Sequence, residues 1–277
     1  MGIEKPKQKK SPALTRRDAL KIIGMTGTAV VVTQLGISGP LSADAVQGIG
    51  GATHHNGELS DHQWHMVIDL SVCIGCGYCV NACQATNNVS DEKMQWNIVF
   101  RERTQTGERF YMNRPCQHCQ EAPCTRVCPV GATWVRGDGI VAMDYDRCIG
   151  CRYCQVACPY DVRRFNWSTP DPSTNPNVPA WGVPEVEPRV RGVVEKCTFC
   201  VHRIDRGLAQ GLTPGVDPGV TPACVQVCPV GARVFGDIRD PESPVSRYLA
   251  SHDTFRLREE WGSQPKVHYV SPTFRRS

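Results

Sequence analysis

All sixteen cysteines of this 277-residue chain fall into four groups of closely similar spacing, and none is left over. The first group is Cys73-Ile-Gly-Cys76-Gly-Tyr-Cys79-Val-Asn-Ala-Cys83, a C-x2-C-x2-C-x3-C pattern. Cys148, Cys151, Cys154 and Cys158 repeat it, and Pro159 follows. The third group, Cys116, Cys119, Cys124 and Cys128, is stretched by two residues and ends in Pro129. The fourth is split by a long insertion: Cys197 and Cys200, then Cys224, Cys228 and Pro229. Any fold open to this chain must therefore gather thiols at several places, mostly from nearby in sequence.

Three thiolates packed this tightly, with a fourth a short step beyond, form the bacterial ferredoxin signature for a 4Fe-4S cluster. Zinc is the competing reading of any Cys-x2-Cys, but zinc sites pair two such hooks across a longer gap to surround one ion. In two-cluster ferredoxins the last cysteine of each motif ligates the other cluster, because a helix begun inside one loop carries it there. Applied here, the inner pair of motifs gives one set of Cys116, Cys119, Cys124 and Cys158, and another of Cys148, Cys151, Cys154 and Cys128. The outer pair gives Cys73, Cys76, Cys79 and Cys228, and then Cys197, Cys200, Cys224 and Cys83. Sixteen ligands for four cubes leave no iron open to substrate and no cysteine free as a nucleophile. Nucleophile-elbow, zinc-protease and phosphate-loop motifs are absent as well. The expectation is a chain that conducts electrons and neither binds nor transforms a substrate alone.

The expected fold is α+β, two interleaved 2[4Fe-4S] ferredoxin units with β-hairpin and loop insertions. The repeat is visible in Cys124-Thr-Arg-Val-Cys-Pro-Val-Gly-Ala132 and its echo Cys224-Val-Gln-Val-Cys-Pro-Val-Gly-Ala232. The outer unit takes residues 64–113 plus 190–240, and the inner unit takes 114–167. A wrapping loop with six prolines fills 168–189, and residues 241–277 form a C-terminal extension. Trp64 to Asp69 alternates as a strand does, and a helix should begin inside the first motif. Met94 to Arg101 and Arg109 to Arg114 flank Thr104-Gln-Thr-Gly107 as a hairpin. Thr133 to Arg136 and Ile140 to Met143, around Gly137-Asp-Gly139, form a second. A helix should follow Pro241, and Pro265 to Val270 should close the domain as a strand.

The N-terminus reads as an export signal. Residues 1–45 carry seven Lys/Arg against three acids, so the remaining chain balances at zero net charge and offers no basic footprint for nucleic acid. Thr15-Arg16-Arg17-Asp18-Ala19-Leu20-Lys21 leads into a mildly apolar run from Ile22 to Ile37, the order of a twin-arginine signal. Ala43-Asp44-Ala45 offers a cleavage site, and a retained signal acting as an anchor is the alternative. Residues 46–63 then read as a flexible linker. An even cysteine count in an exported protein normally suggests disulfides. The twin-arginine route instead carries folded proteins, as a cluster inserted in the cytoplasm requires. Five cations adjoin the motifs as candidates for tuning cluster potentials: Arg114, Arg147, Arg152, Lys196 and Arg203. His118 and His202 lie in or beside the cysteine sets, but the ligand count assigns them hydrogen-bonding or surface roles.

From Trp64 to Val270 the chain resembles the four-cluster iron–sulfur subunits of DMSO-reductase-type respiratory complexes, including those of polysulfide and tetrathionate reductases. The stretches Cys197-Thr-Phe-Cys-Val-His-Arg203 and Gly236-Asp-Ile-Arg-Asp-Pro-Glu-Ser243 carry that resemblance beside the motifs. It implies a molybdopterin-type catalytic subunit and a quinone-reactive integral membrane subunit as partners, at the periplasmic face of the cytoplasmic membrane. Some relatives place a tryptophan in the Cys148 motif and hold a 3Fe-4S centre. Cys151 and Cys154 are both present here, so four 4Fe-4S clusters are expected. Relatives of the formate dehydrogenase type add a C-terminal membrane helix, and the tail ending Phe274-Arg-Arg-Ser277 shows no such run. Similar subunits serve quinone-linked complexes with multihaem cytochromes and no molybdenum, including those associated with sulfite reduction, which is the alternative expectation.

Overall fold

A computed structural model describes residues 60–90, 94–104 and 107–272. All lie in the second of two units, residues 51–277. The expected signal with Arg16 and Arg17, and most of the linker, lie outside the described residues.

The chain enters on β1 (Trp64–Asp69), which becomes an inner strand of a four-stranded sheet. On one side it pairs antiparallel with β8 (Arg233–Asp237). On the other it pairs parallel with β10 (Val267–Val270), in the register Met66↔Val267 to Asp69↔Val270. The edge strand β9 (Thr254–Phe255) is antiparallel to β10. A parallel pair cannot be closed by a tight turn, and here nearly the whole domain is the connection. The expected closing strand is present, and it is seated beside the first.

Alternation along β1 divides two cores. Trp64, Met66 and Ile68 face the main core with Phe235, Tyr269 and most of the cysteines. Val67 faces the other way, against Val245, Val270 and the flank of the helix Pro244–Ser251. That helix starts where the sequence dictates: Ser243 accepts the Ser246 amide at 3.2 Å, and Pro244 takes the first helical position.

Two hairpins stand where the sequence implied them, β2 (Ile98–Arg103) with β3 (Arg109–Arg114), and β4 (Thr133–Val135) with β5 (Val141–Met143). The first starts at Ile98 rather than Met94. Trp96 is buried, donates its indole N–H to Glu195 at 3.2 Å and lies under the Arg189 guanidinium, so it anchors a different segment and leaves the ladder. A short pair, β6 (Arg164–Phe165) with β7 (Val194–Glu195), joins the end of the inner unit to the resumption of the outer one.

The other helices lie in or beside the cysteine motifs. They are α1 (Tyr78–Thr86), α2 (Pro123–Arg126), α3 (Tyr153–Val156), α4 (Val201–Ala209) and α5 (Ala223–Gln226). α1 packs on α5 and α2 on α3, the two ferredoxin-like pairs. The loop 168–189 holds a single 3-10 turn at Pro172–Thr174 and is pinned to the end of α1. Asn175 donates to the Gln84 carbonyl at 3.1 Å and the Glu185 amide to the Thr86 carbonyl at 2.9 Å, which satisfies carbonyls a helix end leaves free. Among the described residues, no helix is long and apolar enough to cross a membrane.

Candidate metal centres

Four of these five helices carry the third cysteine of a motif: Cys79 on α1, Cys124 on α2, Cys154 on α3 and Cys224 on α5. The fourth cysteine follows one turn later and faces a different motif. Cys83 stands against Cys197, Cys200 and Cys224. Cys158 stands against Cys116 and Cys124, and Cys119 against all three. Cys228 joins Cys79 in facing Cys73. Cys128 lines one small cleft with Cys148, Cys151 and Cys154. In each grouping the last thiol of a motif stands among thiols of a different motif.

The loops share a backbone device. The residue before the second cysteine is left-handed in all four: Gly75 (φ 70), His118 (φ 43), Gly150 (φ 67) and Phe199 (φ 56). Two are glycines, but at His118 and Phe199 that conformation costs roughly 1–2 kcal/mol each. A left-handed residue in a turn directs successive amides into one concavity, the kind of nest that receives Fe–S centres. His118 and Phe199 steady each other in it, with rings stacked 3.7 Å between centroids. His118 Nδ1 accepts the Val141 amide at 3.1 Å, so its role is to hold β5 against the loop, and His202 sits 3.5 Å from Glu185. Further amides reach sulfur directly, Ala132 to Cys128 Sγ at 3.2 Å and Phe199 to Cys197 Sγ at 3.4 Å.

The sets also adjoin one another. Cys79 acts on Cys224, Cys116 on Cys197, and Cys124 on Cys154. This gives a row: the Cys73 set, the Cys197 set, the Cys116 set, the Cys148 set. Burial follows the row. All four thiols of the Cys197 set are buried, as are Cys116, Cys119 and Cys124, whereas the exposed thiols are Cys76 and Cys151, one in each end set. Burial drives the inner thiols up, Cys224 to about 11 and Cys119 to about 12, so a bound metal is what would hold them as thiolates.

Buried cations test whether the residues fit such a centre. Arg163, Lys196 and Arg233 are all but inaccessible, and none has a carboxylate within ion-pair distance among the described residues. Arg163 donates to Cys124 Sγ at 3.0 Å and Arg233 to Cys224 Sγ at 3.2 Å. A buried charge without a partner is among the costliest things a fold can hold. Thiolates on an anionic iron–sulfur core would supply the missing counter-charge. Among the described residues, no three of His, Cys, Asp or Glu close on a single ion.

Three of the five tuning cations expected from sequence are engaged elsewhere. Arg147 is mostly exposed beside Asp144, Arg152 lies over Phe165 and Trp167, and Arg114 lies over Phe100, whereas Arg203 pairs with Glu185 and its charge also acts on Cys200. Lys196 alone is buried among the thiols. Sequence reasoning missed Arg163 and Arg233, although a signal existed: each stands five residues after the last cysteine of its motif, Cys158 and Cys228.

Comparison with known proteins agrees with this chemistry. Residues 64–85 match a 4Fe-4S binding domain, and residues 107–173 and 147–232 match 4Fe-4S dicluster domains. The iron-sulfur subunit of a putative dimethyl sulfoxide reductase from Halobacterium salinarum is 43% identical over 74% of this chain and 78% of its own. The iron-sulfur cluster-binding subunit of menaquinone reductase from Nitratidesulfovibrio vulgaris is 41% identical over 76% and 89%. A tetrathionate reductase subunit from Salmonella typhimurium is 38% identical over 76% and 72%. Motifs, thiol grouping and these relatives together make the chain a member of the family of 4Fe-4S electron-transfer subunits found in DMSO, polysulfide and tetrathionate reductases.

Proposed function

We propose that this chain relays electrons through four 4Fe-4S clusters between a quinone-reactive membrane subunit and a molybdopterin-type catalytic subunit in the periplasm. Clusters supply one-electron redox chemistry when bound. The chain's own residues do the rest: nests and short helices hold the thiols, the inner sets are kept from water, and the two ends are left open. The carrying observation is that row of four thiol sets with Cys76 and Cys151 exposed at opposite ends. Apolar side chains surround both ends, Val72, Ile74 and Tyr78 near Cys76, and Ile149, Tyr153 and Val156 near Cys151. Exposed apolar groups around an exposed ligand are what a docking partner would cover. A chain with one such surface at each end suits a relay held between two proteins better than a diffusing carrier.

A second reading has one observation in its favour. The relative from Nitratidesulfovibrio vulgaris is named for menaquinone reduction rather than for a terminal acceptor. In that reading the partner carries multihaem cytochrome and no molybdenum. Metal analysis of the complex purified with its partners separates the two. The first reading expects about sixteen iron and sixteen acid-labile sulfide per chain, with molybdenum or tungsten alongside. Haem iron without either metal favours the second, and stoichiometric zinc in this chain defeats both. Export is tested separately by changing Arg16 and Arg17 to Lys. The precursor should remain in the cytoplasm with its iron complement intact, and normal periplasmic accumulation of the variant would refute twin-arginine export.

A further inference from the structure

The buried cations do more than balance charge, because of where they stand in the row. Arg233 lies between the first two sets: it donates to Cys224 Sγ, and its charge also acts on Cys79. Its second terminal nitrogen donates to Asn97 Oδ1 at 2.7 Å and to Asn113, whose amide in turn reaches Cys79 Sγ at 3.2 Å. One guanidinium thus spans the third cysteines of two motifs. Arg163 repeats the arrangement in the inner unit. It donates to Cys124 Sγ and Thr133 Oγ1, and its charge acts on Cys154 across the gap. Both arginines follow their motif by the same five residues, so the ferredoxin-like repeat generates the same bridge twice. Lys196 occupies the remaining junction. It is fully buried, and burial lowers its pKa; it donates to the Cys197 and Val141 carbonyls and makes no contact with sulfur like those of the two arginines.

We propose that Arg233 and Arg163 are charge bridges, each at the junction between two successive cysteine sets, and that each raises the reduction potentials on both of its sides. The physical cause is Coulombic. Reduction adds an electron to a core that is already anionic, and a fixed cation in a low-dielectric interior lowers the cost of that electron on either neighbour. Neutral donors to sulfur, such as Asn113 and Asn87, act on sets they touch. A buried cation acts across a junction, so its removal moves two potentials together. These are positioning charges and not ligands, and the inference rests on the four-cluster reading.

The test uses the full chain purified anaerobically with its partners, by potentiometric titration followed by EPR. Iron content of the unaltered chain comes first: fewer than about sixteen irons would defeat the four-cluster reading itself, independently of the bridges. Arg163→Gln keeps hydrogen-bonding capacity and removes the charge. It should shift downward the potentials of the centres held by the Cys116 and Cys148 sets, and leave the Cys73 and Cys197 sets unmoved. Arg233→Gln should do the reverse. Arg163→Lys and Arg233→Lys, which keep the charge, should restore most of each shift. A Gln variant that loses iron while its Lys counterpart retains it also supports a requirement for charge. Unchanged potentials, a shift in one centre only, a uniform shift of all four, or equal effects of Gln and Lys on potential or iron content would overturn the proposal.

Discussion

Gly150 lies in the Cys148-Ile-Gly-Cys151 loop at one end of the row, and a single methyl there should separate backbone conformation from packing. Its φ is +67, and a Cβ would sit 2.0 Å from the Gly192 carbonyl oxygen and 3.0 Å from the Phe165 ring. That carbonyl belongs to backbone already tied down, since the Gly192 amide donates to the Asn166 carbonyl at 2.8 Å. Gly77, the residue after the second cysteine of the first motif, has φ +81 and no atom within 4 Å of a Cβ. Each alanine costs about 1–2 kcal/mol for the left-handed backbone. Gly150→Ala must also displace a carbonyl, an overpacking cost of about 1–3 kcal/mol. The two variants should therefore differ by about 1–3 kcal/mol, a factor of roughly 5–150 in the population of opened loops. The assay is loss of iron to a chelator under anaerobic conditions, followed by EPR. Gly77→Ala should lose iron only modestly faster than the unaltered chain. Gly150→Ala should lose it much faster and selectively from the Cys148 set, approaching about twelve irons per chain before the rest follows. Equal rates in the two variants, or loss spread evenly over all four centres, would refute the steric argument.

Crossing of the last cysteine makes a second prediction: Cys128→Ser should perturb the centre held by Cys148, Cys151 and Cys154, and loss of only the EPR signal belonging to Cys116, Cys119 and Cys124 would contradict it. A third concerns His65 and His268, hydrogen-bonded at 3.0 Å across the parallel strands β1 and β10. Burial holds His65 down at about 3, with His268 and nearby cations adding to it, and burial then Arg256 holds His268 at about 4. Both folded values lie below the unfolded one of about 6.5, so the unfolded chain binds more protons between them. Stability should fall as pH drops from about 6.5 towards about 4, and His65→Gln with His268→Gln should flatten that slope in thermal unfolding. An unchanged slope would remove the pair from the acid response.

Much of the site was legible because it is written locally. Three ligands of most sets lie within a few residues of each other, and helix starts, hairpin turns and the Ser243-Pro244 cap are governed by neighbours in sequence. The pairing of motifs was suggested by the repeat ending in Ala132 and Ala232. The misreadings have an equally physical origin. Met94 to Arg101 alternates like a strand, yet Trp96 is drawn out of the ladder by Glu195 and Arg189, roughly a hundred residues away. Cations were sought beside cysteines in sequence, where Arg147 and Arg152 turn out to face solvent or aromatic rings.

By itself, then, the sequence determined the ligand chemistry, the ferredoxin-like repeat and the residues that wrap each centre, because short-range spacing limits what a thiol can reach. Only the tertiary structure decided the order of the four sets, the left-handed backbone at His118 and Phe199, and the burial of Arg163, Lys196 and Arg233 between successive sets. Those features depend on which surfaces meet when the two ferredoxin-like halves close. The electrostatic cost of a buried cation is set by its surroundings in space, and sequence proximity does not encode it.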